Sequence, residues 1–274
     1  MINNFKIAYQ GSEGSYSEEL LKKEFSKYSF IACESFTELL NKVSSESCLG
    51  LLPVENSIAG TVNEAYEELI NSGLEIFGEF IKKIDHTLIG LSNSEFEEIT
   101  HVISHPQALQ QCSKFLQDSK LRITPVFDTA GSVFEILETK DINTAAIAGE
   151  HFKNDERFKI LKENISNHKE NFTRFLLIGN EKLESNKKEN NKYSSVLISD
   201  DKPGSLLKAL NIFSDLNINL TKLESRPILG RPWEYKFYID YELQNVKTQT
   251  DLIDGIKKVS KEFIILGHYP KANP

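Results

Sequence analysis

The sequence predicts an α/β protein in two parts, a large region of alternating strands and helices and a small region in βαββαβ order. Three observations support this prediction. Over residues 1–180, short apolar runs alternate with capped amphipathic helices. Residues 181–192 are highly charged and lack apolar periodicity, which is typical of a linker. Residues 193–274 then follow the order strand, helix, strand, strand, helix, strand of the ferredoxin-like arrangement.

The first half of the large region carries clear start signals for helices. Ser15 with Glu18, and Ser35 with Glu38, have the spacing of a capping box, so a helix is expected after each serine. A third helix is expected from about Val62 to Asn71. The apolar runs before these helices are predicted strands: Phe5–Gln10, Phe30–Cys33 and Leu49–Pro53. Strands joined to helices by short loops predict a mostly parallel sheet covered on both faces.

The second half repeats the pattern after a long β-rich stretch, Leu74–Leu91, which suggests two lobes with a cleft between them. Three more strands are predicted at His101–Ile103, Thr124–Phe127 and Ala145–Ala148. Pro106 suits the first position of a helix. A single helix should follow it, because five apolar residues recur at helical spacing: Ala108, Leu109, Cys112, Phe115 and Leu116.

Small polar residues follow four of the predicted strands, near the starts of helices. They are Ser12, Asn56, Ser104 and Thr129. In open α/β sheets ligands bind at the carboxyl ends of strands, and helix N-termini supply N–H groups to anions. Each residue alone could be only a helix cap. Together with Thr173 and Arg174, which precede the apolar run Phe175–Ile178, they predict a cleft for a small acid.

The composition limits the classes of function. The net charge of −8 argues against a general nucleic-acid binder. No apolar run approaches the roughly 20 residues of a membrane helix, and the N-terminus lacks the pattern of a secretory signal. Cys33, Cys48 and Cys112 are widely spaced and match no zinc motif. We therefore expect a cytoplasmic protein with reduced cysteines that binds neither nucleic acid nor membranes.

Several long motifs occur in one order along nearly the whole chain. In the large region they are Gly11–Ser17, Pro53–Val62, Ser104–Cys112, Asp128–Ala130 and Asn171–Phe175. In the small region they are Glu224–Pro227, Trp233–Tyr235 and Leu266–Pro270. On these motifs the chain resembles the prephenate dehydratase family, in its two-domain bacterial type with a C-terminal ACT regulatory domain. Departures from the family pattern at Gly131–Val133, Gly149–Asn154 and Ser205 concern the fine shape of the cleft and the affinity for an effector.

The resemblance implies a two-lobed, periplasmic-binding-protein-like (type II) catalytic region. It implies a carbon–oxygen lyase that converts prephenate to phenylpyruvate by decarboxylating dehydration, without a metal or organic cofactor. In this family pattern Thr173 would donate a hydrogen bond to the departing hydroxyl, and Glu55 and Asn56 would complete the catalytic group. Further substrate contacts are expected from Ser12, Ser104, Gln107 and Thr129.

Two assignments stay open at this point. Neighbouring residues of a strand face opposite sides, so Arg174 would either clamp a substrate carboxylate or tie the two lobes together through an acidic residue. His86 and His105 are alternative general acids. However, a histidine that precedes proline at a helix start is more often structural.

For the small region, the resemblance implies an ACT module that pairs with a second copy and holds L-phenylalanine as a feedback inhibitor. The protein would then form dimers that can associate into tetramers. The expected effector residues are Gly204, Leu206, Asn219, Glu224, Ser225, Arg226 and Pro227. Two alternatives remain: an arogenate dehydratase, whose substrate carries an amino group in place of the keto oxygen, and a catalytically silent amino-acid sensor on the same fold. The hydroxyl of Thr173 argues against the sensor, which needs no donor to a leaving group.

Overall fold

The computed structural model describes residues 6–46, 48–180, 191–243 and 245–273. The chain divides into two compact units. Unit 1 contains the residues up to Ser72 together with Phe80–Leu176, and unit 2 contains Gly73–Glu79 together with Leu177–Asn273. The predicted linker lies mostly outside the described residues, so the predicted domain boundaries stay predictions. No helix among the described residues is long and apolar enough to span a membrane.

The first lobe of unit 1 is built on a parallel sheet. Its strands are β1 (Lys6–Gln10), β2 (Ser29–Cys33) and β3 (Leu49–Asn56), and its helices are α1 (Tyr16–Glu24), α2 (Phe36–Ser45) and α3 (Asn63–Ser72). A two-residue strand, β4 (Gly60–Thr61), pairs antiparallel with the end of β3. Strand β1 lies at the centre and pairs in parallel with both β2 and β3. The predicted parallel sheet is therefore confirmed in this lobe.

The predicted helix caps form as the sequence indicates. Ser15 Oγ accepts a hydrogen bond from the N–H of Glu18, and Ser35 Oγ accepts one from the N–H of Glu38. Glu18 also reaches back, because its Oε2 accepts from the N–H of Gly14 at 2.7 Å. These caps fix the first residues of α1 and α2, the helices that follow β1 and β2.

The region after β3 differs from the prediction. Asn56 was expected near the start of a helix, but it ends β3, which continues beyond the predicted end at Pro53. Helix α3 begins at Asn63, close to its predicted start near Val62. Between them the chain reverses into β4. Asn56 Oδ1 accepts from the N–H groups of Ile58 and Ala59, an Asx turn that offers the main chain an alternative to a helix. Gly60 supports the reversal with a φ of +83°.

The second lobe contains a mixed sheet. Its strands are β6 (His86–Leu91), β7 (His101–Ser104), β8 (Arg122–Pro125), β9 (Thr144–Gly149) and β10 (Phe158–Lys162), which follow the connecting strand β5 (Glu75–Lys83). The strand order is β10-β6-β9-β7-β8. Strand β7 pairs in parallel with β8 and β9, whereas β6 pairs antiparallel with β9 and β10. The expectation of a mostly parallel sheet therefore holds for only part of this lobe.

The single helix predicted after Pro106 is two helices, α4 (Pro106–Gln111) and α5 (Ser113–Ser119). The break lies at Cys112, with φ −112° and ψ 14°. Asn167 explains it: its N–H donates to the carbonyl of Gln111 at 2.7 Å, and its Nδ2 donates to the carbonyl of Gln110. The apolar residues predicted for one face still pack into one core cluster. Helix α6 (Gly131–Thr139) then follows β8.

Unit 2 confirms the predicted βαββαβ order. Its elements are β12 (Lys192–Ser199), α7 (Ser205–Asp215), β13 (Leu220–Ile228), β14 (Arg231–Glu242), α8 (Val246–Lys257) and β15 (Ser260–Tyr269). The antiparallel strand order is β13-β14-β12-β15, and both helices pack over one face around a core that includes Phe213 and Ile239. The start of β5 adds to this sheet at Gly267, where the carbonyl of Ile76 leaves no room for a Cβ atom.

A buried ion pair joins two distant parts of the unit 2 sequence. Lys192 Nζ lies 2.6 Å from Glu79 Oε1, and the side chains are 9% and 1% exposed. We predict that Lys192→Met lowers the free energy of unfolding by about 3–5 kcal/mol, because a buried carboxylate loses its cation. Urea denaturation measures this loss.

An exposed pair in the same unit provides the control. Lys271 Nζ lies 2.7 Å from Glu242 Oε1, with side chains 39% and 32% exposed, so Lys271→Met should cost less than about 1 kcal/mol. The double variant Lys192→Met/Glu79→Leu should recover most of the loss. Equal effects of the two lysine substitutions would contradict the prediction.

Candidate active site

A cavity of about 560 Å³ opens in unit 1 between the two lobes, which is a typical size for a small-molecule site. Its wall is formed by strand ends and by the starts of α1, α4 and α6. The polar lining residues include Ser15, Tyr16, Asn56, His86, His105, Gln107, Gln111, Asp128, Thr129 and Thr173. The predicted cleft therefore exists. Phe36 brings the start of α2 to the cavity as well, whereas Asn56 belongs to a strand end.

Strand β11 (Phe172–Gly179) divides the predicted catalytic residues between two faces. Thr173 lines the cavity beside Asn56 of the neighbouring strand β3, and Asn56 Nδ2 lies 3.1 Å from Thr173 Oγ1. The next residue, Arg174, points to the opposite face, as strand alternation requires. Glu55 lies on that face too, because it precedes Asn56 on β3.

Arg174 is held away from the cavity. Its Nη1 lies 3.4 Å from Glu55 Oε2 and 3.5 Å from the hydroxyl of Tyr66, on α3. Glu55 and Tyr66 both belong to the first lobe, so these two contacts of Arg174 lie within that lobe. The geometry also favours this ion pair over a clamp on a substrate carboxylate. Glu55 is accordingly a partner of Arg174 rather than a wall of the cavity.

The orientation of the Asn56 amide is fixed by main-chain groups. An N–H can only donate, so the atom that faces Ile58 N at 3.1 Å and Ala59 N at 2.9 Å must be Oδ1. A carbonyl can only accept, so the atom 3.2 Å from Phe172 O must be Nδ2. Nδ2 therefore faces Thr173 Oγ1 as a donor, its two hydrogens being shared among Asn171 Oδ1, Phe172 O and Thr173 Oγ1. Because Nδ2 cannot accept, the hydroxyl hydrogen of Thr173 points elsewhere.

A buried polar network extends from Asn56 into the second lobe. Asn56 Nδ2 donates to Asn171 Oδ1 at 2.8 Å, and Asn171 Nδ2 donates to Gln111 Oε1 at 3.0 Å. Gln111 Oε1 also lies 2.8 Å from His86 Nε2. His86 Nδ1 is 3.0 Å from the hydroxyl of Tyr16. Five side chains from both lobes are thus joined by direct hydrogen bonds.

Burial sets the protonation of two members of this network. It lowers the pKa of the His86 imidazole and raises the pKa of the Tyr16 hydroxyl well above its ordinary value. At neutral pH, His86 is therefore neutral and Tyr16 keeps its proton. Both ring nitrogens of His86 already have partners, which leaves it poorly placed to protonate a ligand.

The four expected substrate contacts divide evenly. Gln107 and Thr129 line the cavity, whereas Ser12 and Ser104 are not among the described residues that line it. Ser104 is fully buried and its Oγ donates to the carbonyl of Ile147 at 2.7 Å, so it joins β7 to β9. His105 caps α4, since its Nδ1 accepts from the N–H of Gln107 at 3.2 Å.

Asp128 provides the contact between lobes that the sequence suggested for Arg174. Its Oδ1 accepts from the N–H groups of Ala130 and Gly131 at the start of α6. Its Oδ2 accepts from the N–H of Ser12, in the loop after β1, at 3.1 Å. The carboxylate therefore occupies N–H groups of α6 that could otherwise bind an anion.

The cavity wall carries little charge. Of the described residues that line it, none is lysine or arginine. Its apolar part includes Pro53, Val62, Ile84 and Phe175. Elsewhere in the described part of the chain, no cluster of three or more histidine, cysteine or acidic residues could hold a metal ion. The site therefore offers neutral hydrogen-bond donors in a partly apolar pocket.

Sequence reasoning missed Tyr16, Gln111 and Asp128 as parts of the site. A signal existed for Gln111: it lies four residues after Gln107 on α4, and residues at this spacing share a helix face. Asp128 and Tyr16 belong to the motifs named above, but each contacts a residue of the other lobe, Ser12 and His86 respectively. That contact is long-range and leaves no local pattern.

The expected effector residues of unit 2 are only partly brought together. Gly204 and Leu206 line a cavity of about 370 Å³ with Trp233 and Tyr235. The remaining expected residues lie on or just before β13: Asn219, Glu224, Ser225, Arg226 and Pro227. Of these, Glu224 forms an ion pair with Lys222 at 3.1 Å.

Comparisons with known proteins agree on one family. A sequence model of the prephenate dehydratase family matches residues 7–183. A prephenate dehydratase of Methanocaldococcus jannaschii is 35% identical over 97% of this chain and 98% of its own length. An Arabidopsis thaliana chloroplast protein named arogenate dehydratase/prephenate dehydratase 1 is 34% identical over 97% of this chain and 72% of its own.

A solved structure is also similar. The prephenate dehydratase of Arthrobacter aurescens, in complex with L-Phe, superposes with a TM-score of 0.88 at 25% identity and covers 97% of this chain and 90% of its own. This likeness confirms the predicted α/β fold class, with a two-lobed region ahead of a βαββαβ unit.

Proposed function

The chain belongs to the prephenate dehydratase family, and we propose that it converts prephenate to phenylpyruvate with release of carbon dioxide and water. The observation that carries this proposal is the pair formed by Asn56 and Thr173 on the cavity wall. It presents a hydroxyl whose oxygen already accepts a hydrogen bond, so its hydrogen is available to a ligand. The protein would act in phenylalanine biosynthesis as a carbon–oxygen lyase, in the cytoplasm.

The reaction needs little chemistry from the protein. The bond between the ring and its carboxylate breaks, and the electron pair moves through the ring as the carbon–oxygen bond of the hydroxyl breaks on the opposite side. Carbon dioxide leaves, and the departing hydroxide takes a proton from the solvent to become water. The product ring is aromatic, which provides much of the driving force. No oxidant, metal or organic cofactor enters this balance.

Thr173 would assist the departing hydroxide. A threonine hydroxyl is too weak an acid to give up its proton freely at neutral pH, so we assign it as a hydrogen-bond donor rather than a general acid. Asn56 Nδ2 donates to its oxygen at 3.1 Å, which strengthens the hydroxyl as a donor and stabilises negative charge on it. A donor fixed in this way before the reaction lowers the barrier without reorganisation.

Glu55 would contribute indirectly. It pairs with Arg174 on the far face of β3 and β11, behind the two residues that face the cavity. Because this pair joins the same two strands, it would hold Asn56 and Thr173 at their distance. We therefore assign Glu55 and Arg174 as positioning residues.

A wall whose described residues include no lysine or arginine suits a substrate that must lose a carboxylate. A lysine or arginine on that carboxylate would stabilise the ground state, whereas the product, carbon dioxide, is uncharged. Apolar residues such as Phe175 and Ile84 would disfavour solvation of the departing group. Gln107 and Thr129 would bind the substrate through neutral donors. Ser12 would support the site through its contact with Asp128, and Ser104 through its bond from β7 to β9.

Replacing Thr173 tests this assignment. We predict that Thr173→Ala lowers kcat by about 10²–10³-fold, because one preorganised donor is removed from the transition state. Thr173→Ser keeps the hydroxyl and should retain most of the activity. Phenylpyruvate formation from prephenate measures both, and thermal unfolding checks that both variants are folded. Turnover by Thr173→Ala close to that of the unaltered chain would remove Thr173 from this role.

We also propose that unit 2 is an ACT module that binds L-phenylalanine as a feedback inhibitor. The Arthrobacter aurescens relative was solved with L-Phe, and Gly204 and Leu206 line a small cavity in unit 2. Leu229 and Trp233 on the hairpin between β13 and β14 are 98% and 80% exposed, which fits a surface covered by a second copy. The protein would thus form a homodimer through unit 2, with tetramers as a further step.

We assign the carboxylate of Glu224, which also contacts Lys222 and Arg226, as the partner for the amino group of the effector. We predict that Glu224→Gln raises the L-phenylalanine concentration for half-inhibition by about tenfold, which corresponds to losing about 1.4 kcal/mol of binding. Glu262→Gln, on the exposed side of β15, is the control and should leave inhibition unchanged. L-Tyrosine should inhibit far less than L-phenylalanine. Equal inhibition of both glutamate variants would contradict the assignment.

Arogenate dehydration is the second candidate, since one relative carries both names. The two substrates differ only at the keto or amino group, so the same assay separates them. Purified protein is given prephenate or arogenate, and phenylpyruvate or phenylalanine is followed. Turnover of arogenate alone would move the assignment to that substrate. Turnover of neither would support the amino-acid sensor and overturn the enzyme assignment.

A further inference from the structure

We propose that His86 takes up a proton when an anionic ligand enters the cavity, and that the resulting imidazolium selects a ligand with two carboxylates and no ammonium group. His86 would then be a specificity-determining residue that favours prephenate over arogenate. The inference deepens the proposed dehydratase function, on which it rests for the identity of the ligand. The count of hydrogens that leads to it is independent of that function.

The count begins at Gln111, whose amide orientation follows from that of Asn56. Asn56 presents Nδ2 to Asn171, so Asn171 presents its oxygen to Asn56 and its own Nδ2 to Gln111. Gln111 must therefore accept through Oε1. The same oxygen lies 2.8 Å from His86 Nε2, so this contact needs a hydrogen on Nε2.

The count ends at the main-chain carbonyl of Asp85. This carbonyl can only accept, and the Tyr16 hydroxyl donates to it at 2.9 Å. A hydroxyl has one hydrogen, so the Tyr16 oxygen presents its lone pairs to His86 Nδ1, which lies 3.0 Å away. This contact therefore needs a hydrogen on Nδ1.

A neutral His86 leaves this series of contacts one hydrogen short. Three contacts run from the Asp85 carbonyl to Gln111, whereas the Tyr16 hydroxyl and a neutral imidazole supply two hydrogens between them. Either tautomer of the neutral ring therefore leaves two acceptors in contact. An imidazolium carries a hydrogen on both ring nitrogens, so it completes all three bonds.

Burial alone opposes the charge. His86 is 3% exposed, and burial lowers its pKa against the opposing effects of the Gln111 side chain and the Asp85 carboxylate. Lys83 weakens the effect of Asp85, because Lys83 Nζ lies 3.0 Å from Asp85 Oδ1. Tyr16 adds no charge, since burial raises the pKa of its hydroxyl well above the ordinary value.

Charged groups on the neighbouring elements are paired with one another. Lys82 Nζ lies 5.9 Å from the centroid of the Tyr16 ring and 3.0 Å from Glu19 Oε1. Glu19 Oε2 in turn lies 3.2 Å from His151 Nδ1. Burial raises the pKa of the Cys112 thiol to about 12, so this thiol is uncharged at neutral pH.

A carboxylate in the cavity reverses this balance. His86 lines the cavity wall, and the described residues of that wall include no lysine or arginine. An anion there attracts the imidazolium in a partly apolar pocket, where charges interact more strongly than in water. An opposite charge at short range shifts a pKa by about 1–3 units toward the charged form. Binding of the anion and protonation of His86 would therefore favour each other.

The imidazolium distinguishes the two candidate substrates. Prephenate carries a keto group beside its side-chain carboxylate, whereas arogenate carries an ammonium group there. The charge on His86 would attract the first group of atoms and repel the ammonium of the second. The side-chain carboxylate stays with the product, so the attraction acts on ground state and transition state alike. It should therefore change KM more than kcat.

Binding of an unreactive analogue measures the proton uptake. The tetrahydro analogue of prephenate keeps both carboxylates, but its saturated ring cannot become aromatic. Calorimetric titration at neutral pH, in buffers of different ionisation enthalpy, should show uptake of up to about one proton per chain. Because the protonated form binds the anion more tightly, Kd should rise by up to about tenfold for each unit of rising pH.

Two histidine variants identify the group that takes up the proton. His86→Gln should abolish the uptake and the pH dependence of Kd. His105→Asn replaces the other histidine among the described wall residues and keeps a capping side chain, so it should retain both effects. Binding without proton uptake in the unaltered chain, or equal uptake in His86→Gln, would overturn the proposal.

Steady-state kinetics test the selectivity. We expect His86→Gln to raise KM for prephenate by about tenfold with a smaller change in kcat, and to raise KM for arogenate less or to lower it. Where arogenate is not turned over, its inhibition constant against prephenate replaces KM. Equal proportional changes for the two compounds would contradict selection by charge.

The count of hydrogens is tested without any ligand. The pKa of His86 is followed by long-range ¹H–¹⁵N correlation in protein labelled with ¹⁵N histidine, and His86 is assigned from the signals lost in His86→Gln. Tyr16→Phe removes the oxygen that accepts from Nδ1 of the imidazolium, so we expect a lower pKa than in the unaltered chain. Tyr241→Phe removes a buried hydroxyl in unit 2 and should leave this pKa unchanged.

An unchanged or higher pKa of His86 in Tyr16→Phe would overturn the proposal. If the unaltered chain turned over neither prephenate nor arogenate, the proposed function would fail, and this titration would still decide whether the network favours a charged His86.

Discussion

The site depends on one constraint, the fixed orientation of the Asn56 amide. Two main-chain N–H groups hold its oxygen and a main-chain carbonyl contacts its nitrogen, so neither end can be exchanged. Such anchors matter because a side-chain amide alone has two nearly equivalent orientations. From this residue the directions of the bonds to Thr173, Asn171 and Gln111 follow in turn. The tight turn after β3 is therefore part of the active site and not only a connection.

Strand alternation explains how neighbouring residues of β11 serve the cavity and the opposite face of the sheet. On β11, Thr173 faces the cavity while Arg174 faces the other side of the sheet and pairs with Glu55. The same alternation separates Asn56 from Glu55 on β3. One face thus carries neutral donors that suit loss of a carboxylate, and the other carries the ion pair that joins the two strands.

Local signals in the sequence were sufficient for most of the fold, and long-range contacts account for the rest. The caps at Ser15 and Ser35 and the βαββαβ order of unit 2 rest on short-range patterns and were confirmed. The break at Cys112 was not predictable, because Asn167, far along the chain, takes the carbonyls of the last turn of α4. For the site, the motifs located the cavity but did not show which motif side chains point into it. Ser104 belongs to a motif, yet its hydroxyl donates a hydrogen bond to the carbonyl of Ile147 on β9 and not to the cavity.

The central claim is that Asn56 directs the Thr173 hydroxyl by donating to it. The turnover number of Asn56→Asp tests this most directly, because aspartate keeps an oxygen for the turn and replaces the donor nitrogen with an acceptor. Thr173 would then donate to residue 56 instead of to the ligand. We expect kcat to fall by about 10²-fold or more while thermal unfolding shows a folded protein. A kcat within about threefold of that of the unaltered chain would contradict the account.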